Sequence, residues 1–244
     1  MSKRQEAYGL CKLCKNEGQV RHSHIFPEFL YERSYDEKHR AISIWPQSYH
    51  NEQILQKGLR EYLLCQGCET HLSVFERYAA EVLRNLPSTA AHSPGDIVWV
   101  PGVDYRKFKV FQMSLLWRAS IARQEAFAAV QLGAHEDRVR RLIQSGNPGR
   151  PWEYGCLLGT LRGPGSLEGT IKFPGKLRIE GHFTYHFVCW DLIWFYVVSS
   201  HASSFPGQGS FLSEDGALPI MVASETWDSF LTRIGQQLKR GGAL

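Results

Sequence analysis

Four of the six cysteines stand in two C-x-x-C pairs, Cys11 with Cys14 and Cys65 with Cys68, and no other residues speak so directly to chemistry. Zinc prefers thiolate sulfur in a closed tetrahedral shell. A C-x-x-C turn presents two sulfurs on one side, so two such turns complete a structural site. Gly67, inside the second pair, suits a tight turn of this kind. Cys156 and Cys189 have no partner nearby in sequence and read as small packed apolar side chains. A redox C-x-x-C ordinarily stands alone after a strand, which sets that use of the thiols aside.

The elements that must position these residues follow from hydrophobic periodicity. After Cys68, Leu72, Phe75, Ala79, Val82 and Leu83 recur at three- and four-residue steps, which predicts a helix. Pro87 and the residues up to about Gly95 read as a linker, and Ile97 to Val103 as a short strand. Helical spacing returns from Tyr105 to Ser145, with a later helix through Val139 and Leu142 stopped at Gly146 and Pro148. Leu177 to Val188 alternates as strands do, and residues 225–240 read as a closing helix. The expectation is an α+β protein in two parts: residues 1–90 as a zinc-binding module and residues 96–244 as a mixed helix and strand domain.

Between Cys14 and Cys65 lies more chain than a zinc knuckle needs, so function is sought there. Ser23-His24-Ile25-Phe26-Pro27 stands near its start, and Leu63-Leu64-Cys65-Gln66-Gly67-Cys68-Glu69 closes it. These motifs resemble the HNH, or ββα-metal, endonuclease family in its zinc-stabilised form. That family shows an Asp-His-Ile-x-Pro strand and then a Leu-Cys-x-x-Cys-Asn/His turn entering a helix. The resemblance covers roughly the first third of the chain. It implies a treble-clef or ββα-metal zinc module and a metal-dependent endonuclease hydrolysing phosphodiester bonds, in DNA rather than RNA. Such nucleases often serve in antiviral defence against foreign DNA. By position, His24 takes the general-base slot and Glu69 the slot of a ligand for catalytic Mg²⁺ or Mn²⁺. Glu76, two turns along the same helix face, is either a support for that metal or a solvated glutamate. His71 points away from Glu69 and reads as a surface residue or backup ligand.

The chain also departs from the family pattern. Ser23 stands where the family has a metal-binding Asp, and His22 cannot replace it because it shares the strand face of His24. The Asn that orients the base has its nearest counterpart in Arg60, with Asn51 more remote. These departures keep a second class of function in play: a non-catalytic zinc-stabilised module that binds nucleic acid or a partner protein.

A net charge of +4 and a pI near 8.7 permit a polyanionic partner without demanding one. Residues 106–150 carry nine Lys or Arg against three acids, densest at Arg138, Arg140 and Arg141, which are the candidate phosphate contacts. A solvated helix face is the alternative there. The start of the chain is polar, and its most apolar run, Phe187 to Ser199, contains Asp191 and is too short to span a bilayer. Cytoplasmic residence with no membrane partner is therefore expected. That run, with Trp190 and Trp194, suits a core or an interface better than a base-stacking platform.

Overall fold

The computed structural model describes residues 7–45, 48–89, 92–161, 169–179, 181–200 and 208–223. The expected closing helix at 225–240 lies outside the described residues. In chain order the strands are β1 (Ala7–Leu10), β2 (Glu17–His24), β3 (Ala41–Trp45), β4 (Ser48–Leu55) and β5 (Arg60–Leu64). They continue as β6 (Ile97–Val100), β7 (Cys156–Leu161), β8 (Thr170–Ile179), β9 (His182–Cys189), β10 (Leu192–Val198) and β11 (Leu218–Ala223). The helices are α1 (Gln66–Arg84), α2 (Tyr105–Ile121) and α3 (His135–Ser145). Helices and strands mix throughout, as the α+β expectation required.

Two sheets form among the described residues: a three-stranded one, β1-β2-β5, and an eight-stranded one, β4-β3-β8-β9-β10-β7-β11-β6. The large sheet explains the most apolar run of the sequence. β10 is buried at every position. Its alternate residues enter two clusters, Trp194 and Tyr196 in one and Ile193, Phe195 and Val197 in the other, so both faces are covered and no polar alternation survives. Trp190 and Asp191, both with positive φ, make the two-residue turn from β9 to β10.

The part read as a zinc-binding module, up to residue 90, shares its larger sheet and apolar core with the rest. β3 and β4, from inside the stretch between the cysteine pairs, join the large sheet through parallel pairing of Ile42–Ile44 with Thr170–Lys172. One continuous apolar cluster runs from Leu13 through Phe75 and Phe111 to Trp194. α2 lies within it and is buried from Phe108 to Ala119, its start capped by the Asp104 carboxylate accepting from the Lys107 N–H at 2.9 Å. α3 ends on Gly146, whose φ of 64° is the left-handed cap that glycine tolerates best. No helix among the described residues is long and apolar enough to cross a membrane.

Candidate functional site

The small sheet and the start of α1 bring the two cysteine pairs together. β1 and β2 run antiparallel, and the turn between them carries Cys11 and Cys14; β5 then delivers Cys65 as the residue before α1 and Cys68 in its first turn. The four sulfurs lie within 4.8 Å of one another, a group that could hold a metal ion. Cys14 Sγ and Cys65 Sγ are 3.9 Å apart, against about 3.8 Å for the edge of a tetrahedron with Zn–S bonds of about 2.3 Å. The Cys65 N–H points at Cys11 Sγ at 3.3 Å, the donor pattern that supports a bound thiolate. Burial opposes ionisation of Cys11, but the backbone N–H groups of Cys65, Cys14 and Leu13 outweigh it and its pKa falls to about 7.

Lys15, with φ of 64°, eases the first turn, and in the second pair Gly67 sits in α1 with open space around it rather than in a turn that requires glycine. The turn is also braced from outside, because Arg140 Nη1 donates to the Leu13 carbonyl at 2.8 Å. His71 donates from Nε2 to the Ile143 carbonyl at 2.9 Å, which ties α1 to α3 and removes it as a backup ligand. Cys156 and Cys189 are buried apart from the cluster, as expected of packed side chains.

β2 splits the remaining candidates between its two faces. Ser23 is buried toward α1, where its hydroxyl accepts from the Leu64 N–H at 3.2 Å and donates to the Arg21 carbonyl at 3.2 Å. Glu69 faces it, and Glu69 Oε1 is buried with no hydrogen-bond partner among the described residues. Burial raises the Glu69 pKa; the Ser23 hydroxyl and Arg118 oppose the rise, and Glu76 adds to it. Glu76 comes alongside as expected, but the cation it meets belongs to the protein. Arg118 of α2, buried to 2% exposure, places Nη1 2.8 Å from Glu76 Oε1 and donates from it to the His24 carbonyl at 3.2 Å. Glu76 thus has its counter-charge from within the chain, while Glu69 is left with one buried oxygen unpartnered among the described residues. The Ser23 hydroxyl is shared between backbone groups and the Glu69 carboxylate.

His24 projects from the opposite face of β2, away from Glu69. Its Nε2 lies 2.7 Å from Glu28 Oε2 and 2.8 Å from Arg60 Nε. A carboxylate only accepts and a guanidinium only donates, so Nε2 serves one of them at a time. With the ring proton on Nε2 it donates to Glu28, and Nδ1, which has no partner among the described residues, is the basic nitrogen. Burial, then the Arg60 charge, lowers the His24 pKa below 6.5, against the pull of Glu28. The ring is therefore neutral at pH 7.

Glu28 is held as an anion. Burial opposes this, but the Tyr35 hydroxyl, His24 and the Gly58 N–H together lower its pKa. Tyr35 donates to Oε1 at 2.7 Å and Gly58 to Oε2 at 3.2 Å. Gly58 is glycine because a Cβ there would stand 2.8 Å from Tyr31, 3.1 Å from Glu28 and 3.2 Å from His24. Pro27 follows the end of β2 and opens the two-turn 3-10 helix Glu28–Ser34, which swings Glu28 back beneath the ring four residues before it.

Sequence reasoning had placed Arg60 near the base, and the structure puts its guanidinium on the ring. The side chain of the other candidate, Asn51, lies outside the described residues. Glu28 was missed; its only local signal is a carboxylate four residues after a histidine, just past a proline.

The arginines of α3 are largely neutralised. Arg138 pairs with Glu153, while Arg140 and Arg141 both pair with Asp137 at 2.8 Å and 3.1 Å. Trp190 and Trp194 are core residues, 3% and 0% exposed. No family model, curated protein or solved structure matches the chain, so the reading of the site rests on its own residues.

Proposed function

We propose that this protein hydrolyses phosphodiester bonds in nucleic acid, DNA first, on a treble-clef module stapled by zinc held between Cys11, Cys14, Cys65 and Cys68. The observation that carries it is the neutral, partly exposed His24, gripped by Glu28 and standing against the Arg60 guanidinium. In this reading Nδ1 of His24 takes a proton from water as the water oxygen bonds to phosphorus. The P–O ester bond breaks, and the departing oxygen takes a proton from solvent. Glu28 fixes the ring and favours the imidazolium that forms, the role a carboxylate plays beside a catalytic histidine. Arg60 offers its charge to the phosphate oxygens. Defence against foreign nucleic acid is one use to which such an activity would be put. The thiolate donor set favours zinc over a hard cation for the cysteines.

The test is cleavage of plasmid and single-stranded DNA by the zinc-loaded protein, by His24→Ala and by Arg60→Ala, with and without added Mg²⁺ or Mn²⁺. Loss of the base lowers the rate about 10²- to 10⁴-fold, with zinc content and folding unchanged. Equal cutting by wild type and His24→Ala assigns the activity elsewhere. One observation favours a second reading, a non-catalytic zinc-stabilised binding module: Ser23 and Arg118 stand where the related chemistry would need a carboxylate and a dication. Absence of cutting under every condition, with nucleic acid still bound, would select it.

A further inference from the structure

The face of the small sheet that carries His24 also carries a groove. Cross-strand pairing puts Ala7 with Val20, His22 with Tyr62, and His24 with Arg60, all on one side of the strands. The sheet curls so that β1 approaches β5, with the Lys12 N–H donating to the Leu63 carbonyl at 2.8 Å. The concavity, about 490 Å³, is floored by Val20 and Leu63 and faced across by Ile121 and Arg123. This volume is in the range of sites for small organic groups.

Two features say what fits it. The rings of His22 and Tyr62 meet at a tilt of 31° with centroids 4.9 Å apart, and Tyr62 remains 42% exposed. Lys12, Arg60 and Arg123 ring this pair with positive charge. Among the described residues no carboxylate pairs with Lys12 or Arg123. The one acid on the rim, Glu61, spends its Oε1 on the backbone N–H groups of Arg123 at 2.8 Å and Gln124 at 3.0 Å. A part-exposed aromatic ring among cations is the making of a single-strand site: a base stacks on the ring, and phosphates follow the charges. A duplex keeps its base faces to itself and cannot use such a platform.

We propose that this groove seats single-stranded nucleic acid, a base stacking on Tyr62 and its phosphates lying along Lys12, Arg123 and Arg60 toward His24. The proposal deepens the phosphodiesterase reading and rests on it for the direction of the strand. His24 follows His22 on the same strand face about 7 Å further on, so a strand seated on Tyr62 continues over the proposed base.

The test is fluorescence anisotropy with 5′-fluorescein dT12 and the matching 12-base-pair duplex. It is run on the full chain carrying His24→Ala, so that the strand survives the measurement. The expected result is tighter binding of dT12 than of the duplex. Added to that background, Tyr62→Ala weakens dT12 binding about tenfold, as loss of one stacked base does, and Tyr62→Phe retains it. Arg123→Ala weakens binding and lowers the slope of log K against log salt by about 0.7, as one lost phosphate contact on a single strand requires. Arg141→Ala changes nothing.

Preference for the duplex, or full dT12 affinity in Arg123→Ala together with loss in Arg141→Ala, would overturn the proposal. If Tyr62→Ala loses its circular dichroism, Arg123→Ala decides, since that side chain is exposed. Groove-dependent binding without cutting by the native protein rejects the hydrolysis reading alone. Cutting without groove-dependent binding rejects this one alone.

Discussion

Replacing Arg118 by Met would strand two carboxylates beneath the candidate site. Arg118 is 2% exposed and Glu76 22%, and the pair meets at 2.8 Å. The same guanidinium donates to the Ser114 carbonyl and hydroxyl, both at 3.3 Å, and to the His24 carbonyl. Removing one partner of a buried pair costs about 3–5 kcal/mol, because the other charge stays desolvated and unpaired. Methionine is nearly long enough to fill the space, so the cavity contribution stays small. Glu76 retains some access to water, which places the expected loss at the low end, about 3 kcal/mol. For a chain of this length that is a fall in Tm of about 6–12 °C. Arg118→Met/Glu76→Gln removes both charges and recovers part of the loss. Urea and thermal unfolding of the metal-loaded protein measure all three. A cost below about 1 kcal/mol for Arg118→Met, or a double variant less stable than the single one, would refute the argument that this cation is what the carboxylates require.

Further expectations follow from the same contacts. Chelation, or Cys68→Ser, should release one zinc per chain by metal analysis and unfold the small sheet, whereas Cys156→Ala should keep the metal. Gly58→Ala should displace Glu28 and His24, lowering any hydrolytic rate at least tenfold in a cleavage assay while zinc content stays constant, because its methyl meets Tyr31, Glu28 and His24 within 3.2 Å. Burial and Arg60 hold His24 below 6.5, so the acid limb of a pH–rate profile should lie below that pH and move up toward it in Arg60→Met; a limb above 6.5 in wild type contradicts this. His186, buried in β9, has its pKa lowered from 6.5 to about 3 by burial and then Lys172. The folded state therefore stays neutral while the unfolded chain takes up a proton. That stability is fully present above 6.5 and is lost toward pH 3 at up to about 1.4 kcal/mol per unit. Denaturant melts across pH should show a shallower acid slope for His186→Gln than for wild type.

The sequence alone determined what depends on short spacing. Two C-x-x-C pairs name their own ligand cluster, since a three-residue turn and a helix start can present sulfurs in few other ways, and the four sulfurs do converge. The periods of α1, the stop at Gly146 and the strand alternation of residues 177–188 are likewise local, and each element stands close to where it was read. Even the sharing of one strand face by His22 and His24 follows from alternation.

Tertiary structure decided everything that joins distant segments. No local pattern announces that β3 pairs in parallel with β8, that Arg60 reaches a ring 36 residues earlier in the chain, or that Arg118 approaches His24 across 94 residues. These contacts exist because apolar surfaces of α1, α2 and the large sheet must close on one another, and closure carries the charged groups on their margins into contact. The same closure pairs the arginines of α3 with Glu153 and Asp137, and it leaves Lys12 and Arg123 without a carboxylate among the described residues around an aromatic groove. Charge counts along the chain pointed to α3. Whether a charge faces an anion or water is fixed by packing between elements, which no spacing within one element encodes.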